Sequence, residues 1–153
     1  MNKVSYKTEI NAPTEKVWSV LWEDKTYRDW SGVFHPENHI VSDWEVGGRI
    51  LFVDNKGNGA FAQIIENTPN EFMSFKHLGW VGDWKELPLD YEVTINGKVM
   101  RWTEVTESYL LHEKNGITTL TVEMVGPKSD WEEYGNVVYP KALQRVKDLA
   151  EMN

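Results

Sequence analysis

The first residues of the chain alternate between apolar and polar side chains. One side of this alternation holds Val4, Tyr6, Thr8 and Ile10, and the other holds Ser5, Lys7 and Glu9. Because successive side chains of a strand point to opposite faces, the pattern predicts a half-buried strand over Val4–Ile10.

The period then changes to that of amphipathic helices. Within Asn11–Thr14, Pro13 suits a turn or the first helical position, with an Asn or Thr as the cap. The apolar residues that follow at helical spacing are Val17, Trp18, Leu21 and Trp22. Tyr27 and Trp30 predict a second short helix, which we expect to end near Ser31–Gly32.

From His39 to Gly126 the chain has the alternation and the turn residues of antiparallel strands. The predicted strands are Ile40–Trp44, Arg49–Asp54, Ala60–Asn67, Phe72–Leu78, Thr103–Lys114 and Ile117–Val125. Asn115–Gly116 is the strongest turn signal, because this dipeptide favours a two-residue hairpin turn. Such a turn sets the register of opposing pairs: Lys114 with Ile117, Leu111 with Leu120, Tyr109 with Val122, and Glu107 with Met124.

The last segment predicts a long helix. Ser129 and Glu132 have capping-box spacing, and Pro140 is expected to kink or divide the helix. Its apolar stripes are Trp131, Tyr134 and Val138, then Leu143, Val146 and Ala150. We expect one α+β domain over residues 1–153, in which a curved antiparallel sheet wraps the C-terminal helix and the two short helices close one end.

Composition narrows the function classes. A net charge of −8 without any basic run argues against nucleic acid or an anionic membrane as a partner. The chain has no cysteine, so it has no disulfide, thiolate nucleophile or cysteine metal site. It shows neither a signal peptide nor an apolar run that could span a bilayer, and we expect a cytoplasmic protein. Eight Trp, six Tyr and five Phe favour a cavity.

Glu107 is the most informative polar residue, because the predicted register turns it inward beside Val122 and Met124. A carboxylate on an apolar face is costly unless it is paired or hydrated. It is either a polar anchor or proton acceptor inside a cavity, or a structural group. The structural partners open to it are Arg49, Arg101 and Lys76, or water at the cavity mouth. Tyr109 on the same face donates either to a ligand or to a backbone carbonyl.

His77 shares its strand parity with Met73 and Phe75, so we expect it to face inward as well, either as a core residue or as a ligand or base. The segment Gly79–Trp102 is long for a hairpin connection, and Asn96–Gly97 within it indicates a small hairpin. This segment is either a flap over the cavity mouth or an edge excursion or dimer contact. As a flap it would place three residues at the entrance: Trp80, Trp84 and Tyr91.

The segment His35–His39 superficially suggests a metal site. Pro36 and Asn38 favour a solvated loop instead of one helical turn, and no third ligand is evident. The chain also lacks a phosphate-binding loop and a serine nucleophile elbow. We therefore expect neither a metal nor a cofactor.

Several short motifs resemble those of a known family. Ile10–Trp18 is similar to its opening I-x-A-P-x-x-x-V-W, Tyr27–Trp30 to the W that follows, and Trp44–Arg49 to its x-V-G-G-R turn. Pro69–Phe75 and Gly116–Val122 resemble its P-x-x-x-x-x-F and G-x-T-x-L-x-V segments. The chain thus resembles the activator of Hsp 90 ATPase homologue-like group of the START/Bet v 1-like (SRPBCC) superfamily, which implies a helix-grip fold with a central cavity.

Members of that superfamily include lipid carriers, hormone receptors, cyclases and hydrolases, so the resemblance implies a cavity more than a reaction. We expect the chain to bind a small apolar or amphipathic molecule. The expected ligand-binding residues are Glu107, Tyr109, His77, Phe75, Met73, Trp80, Trp84, Tyr91, Val122 and Met124. One alternative is a protein-interaction module linked to a chaperone or stress response, including a homodimer. The other is a cyclase- or hydrolase-like enzyme that uses Glu107 or His77 as a base.

Overall fold

The computed structural model describes residues 1–95, 97–100, 103–127 and 131–152. The N-terminal elements are strand β1 (Asn2–Ile10), helix α1 (Thr14–Trp22), helix α2 (Asp24–Trp30) and a short 3-10 helix (Ser31–Val33). Exposed and partly buried residues alternate along β1, as the sequence predicted. The two predicted short helices are confirmed, including the end of the second beside Ser31.

The remaining elements are strands and one long helix. They are β2 (His39–Ser42), β3 (Arg49–Val53), β4 (Gly59–Thr68), β5 (Phe72–Gly82), β6 (Lys85–Glu86), β7 (Val93–Ile95), β8 (Lys98–Met100), β9 (Thr106–Lys114), β10 (Ile117–Gly126) and α3 (Trp131–Glu151). The main sheet is antiparallel, in the order β1-β10-β9-β5-β4-β3-β2, and β6 pairs with β5. Strands β7 and β8 form a separate hairpin. The predicted α+β helix-grip architecture is confirmed.

The turn at Asn115–Gly116 sets the register that the sequence predicted. Both residues have positive φ angles, 55° and 81°, as the two-residue turn requires. The pairs Tyr109–Val122 and Glu107–Met124 therefore lie opposite each other in β9 and β10. Because residues two apart on a strand share a face, Glu107 and Tyr109 point to the same side of the sheet.

Helix α1 begins without the predicted side-chain cap. Pro13 precedes the helix, Thr14 is its first residue, and no side chain in the local segment caps it. The Thr14 backbone N–H instead donates to Oε1 of Glu113, at 2.9 Å. The cap thus comes from the end of β9, which is distant in sequence, and a local cap motif could not reveal it.

Pro140 does not divide the long helix. Helix α3 runs from Trp131 to Glu151 with Pro140 inside it. Residues on both sides of the proline, including Val138 and Ala142, are buried in the same core, and this packing holds the two halves together. Ser129 of the predicted capping box lies outside the described residues. Within the described parts of the chain, no helix has the length and apolar character needed to cross a membrane.

A bulge in the pairing of β4 with β5 changes which residues face the helices. Phe61 lies opposite Gly79, whereas Ala62 lies opposite His77, so Leu78 has no partner. The extra residue reverses the alternation of β5. Consequently His77 and Trp80 both face the concave side of the sheet.

The convex face carries a second, smaller apolar cluster. It is formed by Val53, Phe61 and Val81, with Leu51 and Leu78 packed against it. The chain after β5 crosses this face: Leu87 and Leu89 pack where Gly82 and Gly79 leave room beside the sheet. The main core, by contrast, lies between the concave face and the three helices.

Candidate functional site

A cavity of about 230 Å³ lies between the concave face of the sheet and the helices. On the sheet side it is lined by Phe52, Ala60, Phe75, His77, Trp80, Glu107 and Tyr109. On the helix side it is lined by Trp22, Tyr27, Phe34, Tyr134 and Tyr139. Most of the wall is therefore aromatic, and the polar atoms on it are few.

Glu107 is the buried polar centre of this cavity. Its exposed fraction is only 6%, and those of His77 and Tyr109 are 5% and 2%. His77 Nε2 lies 3.0 Å from Oε1 of Glu107, and the Tyr109 hydroxyl donates to Oε2 at 2.5 Å. Because an ionised carboxylate only accepts hydrogen bonds, Nε2 of His77 is the donor toward it. Donors thus face both oxygens of one carboxylate.

Two of the partners that the sequence suggested for a structural Glu107, Arg49 and Lys76, do not pair with it. Arg49 pairs with Glu86 on the outside of the sheet, at 3.1 Å. The alternation of β5 turns Lys76 to the face opposite His77. Arg101 lies outside the described residues. The imidazole of His77 and the phenol of Tyr109 contact Glu107, because β5 and β9 are neighbours in the sheet and these side chains share its concave face.

The tyrosines around the carboxylate keep their protons. Burial raises the pKa of Tyr109 and of Tyr139 well above the usual value, and the negative charge of Glu107 raises both further. The pKa of Tyr27 and that of Tyr134 are raised by the same two causes in the same order. These hydroxyl groups therefore remain neutral hydrogen-bond donors over the physiological pH range.

Trp22 joins the helices to the polar centre. Its ring meets that of Tyr109 edge to face, at 4.9 Å between centroids, and that of Phe75 at 6.3 Å. The indole N–H of Trp22 is buried and has no hydrogen-bond partner within the described part of the chain. A buried donor of this kind is costly unless something accepts from it.

The cavity mouth is polar. His35 and Asn58, which are exposed, border it together with Asp54. Asp54 accepts hydrogen bonds from the backbone N–H groups of Asn58 and Lys56, and these hydrogen bonds lower its pKa. The Asp54 carboxylate thus shapes the loop between β3 and β4, and it also adds negative charge at the entrance.

The chain from His35 to Asn38 is a loop, as the sequence predicted, but only its first part is solvated: Asn38 and His39 are buried, and His39 begins β2. Asn38 donates to the Tyr27 hydroxyl at 3.2 Å, and the His39 ring lies against Trp84. No group of three His, Asp or Glu side chains in the described ranges is placed to hold a metal ion.

The structure divides the residues expected to bind a ligand into three groups. Those that line the cavity are Glu107, Tyr109, His77, Phe75 and Trp80. Those buried in the adjoining core, away from the lining, are Met73, Val122 and Met124. Trp84 and Tyr91 are half exposed and do not line the cavity, and the Trp84 ring stands over Gly57 instead. Trp80 is therefore the only one of the three expected entrance residues on the cavity wall.

Sequence reasoning missed the helical side of the cavity. Trp22, Tyr27, Tyr134 and Tyr139 all line it. The apolar spacing that predicts a helix is the same whether the stripe packs against a core or borders a cavity. The signal that could have separated the two is the number of aromatic residues in these stripes, since large rings with polar ends suit a cavity wall.

Comparison with solved structures shows the fold. The solution structure of the Aha1 dimer from Colwellia psychrerythraea has a TM-score of 0.72 and 21% identity, over 99% of this chain and 98% of that one. The crystal structure of CalU16 from Micromonospora echinospora has a TM-score of 0.66 and 17% identity, over 97% of this chain and 75% of that one. Protein MLL2253 from Mesorhizobium loti has a TM-score of 0.67 and 16% identity, over 97% and 96%.

Sequence comparison shows the family. Among curated proteins, none matches the chain. The family described as Activator of Hsp90 ATPase homolog 1-like protein matches residues 11–146, which include α1, α2, all strands from β2 to β10 and most of α3. The chain therefore belongs to the family of Activator of Hsp90 ATPase homolog 1-like proteins.

Proposed function

We propose that this protein binds a small amphipathic molecule in the cavity between its concave sheet and its helices. The observation that carries the proposal is the cavity of about 230 Å³, whose aromatic wall surrounds one buried carboxylate. Small-molecule sites are typically apolar hollows with a few polar groups that orient the ligand. Glu107, His77 and Tyr109 are the orienting groups in this proposal.

The volume of the cavity limits the size of the ligand. A dry apolar cavity of about 150 Å³ in another protein accepts benzene. A cavity of about 230 Å³ therefore suits a molecule with one ring and a short substituent, or a compact pair of rings. A long acyl chain would need more room, so we propose a compact ligand and not a lipid.

The test fills the cavity and measures binding. Ala60 lies on the wall beside Trp80, and Ala60→Leu would occupy part of the space. We expect this variant to bind 2-phenylethanol at least about ten-fold more weakly than the wild type in isothermal titration calorimetry, a loss of about 1.4 kcal/mol. Thr119→Leu on β10 introduces the same leucine side chain away from the cavity and should leave the affinity unchanged. Equal binding by Ala60→Leu and the wild type would contradict the proposal.

A second candidate function, self-association, is favoured by exposed apolar side chains on the segment after β5. We define the outer patch as Trp84, Leu89 and Tyr91 of this segment, which are 50%, 65% and 50% exposed. Large exposed apolar side chains can form an interface, and the solved relative from Colwellia psychrerythraea is a dimer. We propose that two copies meet through the outer patch.

Sedimentation velocity over a range of concentrations tests self-association. The wild type should show a dimer whose population falls in the double variant Leu89→Ser/Tyr91→Ser. Val46→Ser is the matched control, because Val46 is 62% exposed elsewhere on the surface. A monomer at every concentration would refute this candidate and would leave the cavity proposal untouched.

A further inference from the structure

The cavity wall carries carboxylates but no lysine or arginine among the described residues. The carboxylates are those of Glu107 and Asp54, and the lining also contains the imidazoles of His77 and His35. The cavity thus combines a buried negative group, a second negative group at its mouth and aromatic walls. This arrangement repels anions and attracts cations.

Three basic side chains near these elements are paired on the outer surface, whereas Lys56 lies at the cavity mouth, where the Asn58 hydrogen bond and then Lys56 lower the pKa of Asp54. Arg49 pairs with Glu86 outside the sheet, and Arg145 pairs with Asp29 between α3 and α2. Lys98 of the small hairpin pairs with Glu133. These three paired cations therefore do not balance the buried carboxylate of Glu107.

Glu107 has hydrogen-bonding capacity beyond its three side-chain donors. A carboxylate has about four lone-pair positions on its two oxygens. His77 uses one on Oε1, Tyr109 uses one on Oε2, and the Tyr139 hydroxyl also hydrogen-bonds to this carboxylate, which leaves about one position. Because Glu107 also borders the cavity, the capacity that remains is available to a bound molecule.

We propose that the ligand is a cation of one chemical class, the small arylalkyl amines. Its ammonium group would bind Glu107, and its ring would pack against Trp22 and Phe75. This inference rests on the proposed binding function and names the chemical class of its ligand. An ammonium group in contact with a buried carboxylate makes charge-assisted hydrogen bonds, which are about twice as strong as neutral ones. Aromatic walls favour the same charge, since the faces of aromatic rings attract cations.

The opposite ligand charge is disfavoured by the same groups. A carboxylate ligand would place another negative charge beside the buried carboxylate of Glu107, and no described Lys or Arg on the wall would offset it. A neutral alcohol could donate a hydrogen bond to Glu107 but would lack the attraction between opposite charges. The expected order of affinity is therefore amine, then alcohol, then carboxylate.

Three probes of nearly the same shape test this order: phenethylamine, 2-phenylethanol and phenylacetate. Isothermal titration calorimetry on the wild type at about pH 8, where an alkyl ammonium keeps its proton, measures each affinity. We expect phenethylamine to bind at least about ten-fold more tightly than 2-phenylethanol, and phenylacetate to bind most weakly. If the alcohol binds as tightly as the amine, the inference is overturned while the proposed binding function stands. If none of the three binds, both are overturned.

A variant series assigns the effect to one carboxylate. Glu107→Gln removes the charge and keeps the shape, and it should weaken phenethylamine at least about ten-fold while changing 2-phenylethanol less than about three-fold. Glu123→Gln is the matched control, because it removes the same charge from β10 at a site paired with Lys3 outside the cavity. Equal losses for amine and alcohol in Glu107→Gln would overturn the inference. If Glu107→Gln does not fold, the affinities of the three probes for the wild type still test the inferred ligand class.

Discussion

Nε2 of His77 lies 3.0 Å from Oε1 of Glu107, although the two residues are 30 positions apart in the chain. The pairing of β5 with β9 brings them together: Phe75 is directly opposite Glu107, and His77 is the next residue of β5 on the same face. Both side chains are buried. Such a pair couples the stability of the sheet to the polar centre of the cavity, because neither member can lose its partner without cost.

The first prediction concerns the stability of this pair. His77→Leu should lower the free energy of unfolding by about 2–4 kcal/mol, because it removes a donor from a buried carboxylate. Glu107→Leu should cost a similar amount. The double variant should be more stable than the sum of the two losses predicts by at least about 1 kcal/mol, since no unpaired charge remains.

Urea unfolding of the two single variants and the double variant measures this coupling. His112→Leu is the control, because His112 lies on β9 but is exposed, and it should change the stability by less than about 0.5 kcal/mol. Strictly additive losses would show that His77 and Glu107 do not interact.

The second prediction follows from the tyrosine pKa values. The pKa of Tyr6 is raised from 10.0 to about 12, chiefly by burial and then by Glu132, and burial followed by the charge of Glu107 raises those of Tyr109 and Tyr139 well above 10.0. Above pH 10 the unfolded chain loses these protons while the folded chain keeps them. The stabilisation is therefore complete below pH 10 and decreases as the pH rises from 10 toward 12.

Absorbance at 295 nm and circular dichroism during an alkaline titration test this prediction together. We expect the buried tyrosines to ionise in step with unfolding and not before it. Full ionisation of all six tyrosines near pH 10 in a protein that stays folded would contradict the burial of the cavity wall.

The third prediction concerns the turn that sets the register of β9 and β10. Gly116 has a φ of 81°, and an alanine there would cost about 1–2 kcal/mol of stability because its Cβ disfavours this backbone conformation. Gly32 is the matched control, since it has no such φ and no atom within 4 Å of an added Cβ. Gly32→Ala should be neutral or slightly stabilising in urea unfolding. Equal effects of the two substitutions would argue against the two-residue turn.

The sequence predicted the parts of the site that depend on local signals. The inward direction of Glu107 and Tyr109 followed from one turn, Asn115–Gly116, and the register of one hairpin. The contact of Glu107 with His77 could not be predicted, because it needs the order of β5 and β9 in the sheet. A bulge at Leu78 likewise lies outside any alternation rule, so the end of β5 was predicted four residues short of Gly82.

The sequence could not decide where the segment after β5 packs, for a different reason. Its aromatic content fits either a flap over the cavity or a cover for the outer face, since both bury apolar rings. The structure shows Leu87 and Leu89 on the convex face, beside glycines whose missing side chains make room for them. The small hairpin predicted from Asn96–Gly97 is present as β7 and β8. Asn96 itself lies outside the described residues.

The last prediction separates the two tryptophans that this segment was expected to bring to one entrance. Trp80 lines the cavity, whereas Trp84 stands over Gly57 with half of its surface exposed. If the cavity binds a small aromatic molecule, Trp80→Leu should weaken 2-phenylethanol about three- to ten-fold, because part of the apolar contact is lost. Trp84→Leu removes the same kind of ring and should leave the affinity unchanged. Calorimetric titration of both variants measures the contrast, and a loss of binding confined to Trp84→Leu would mean that the segment covers the cavity in solution.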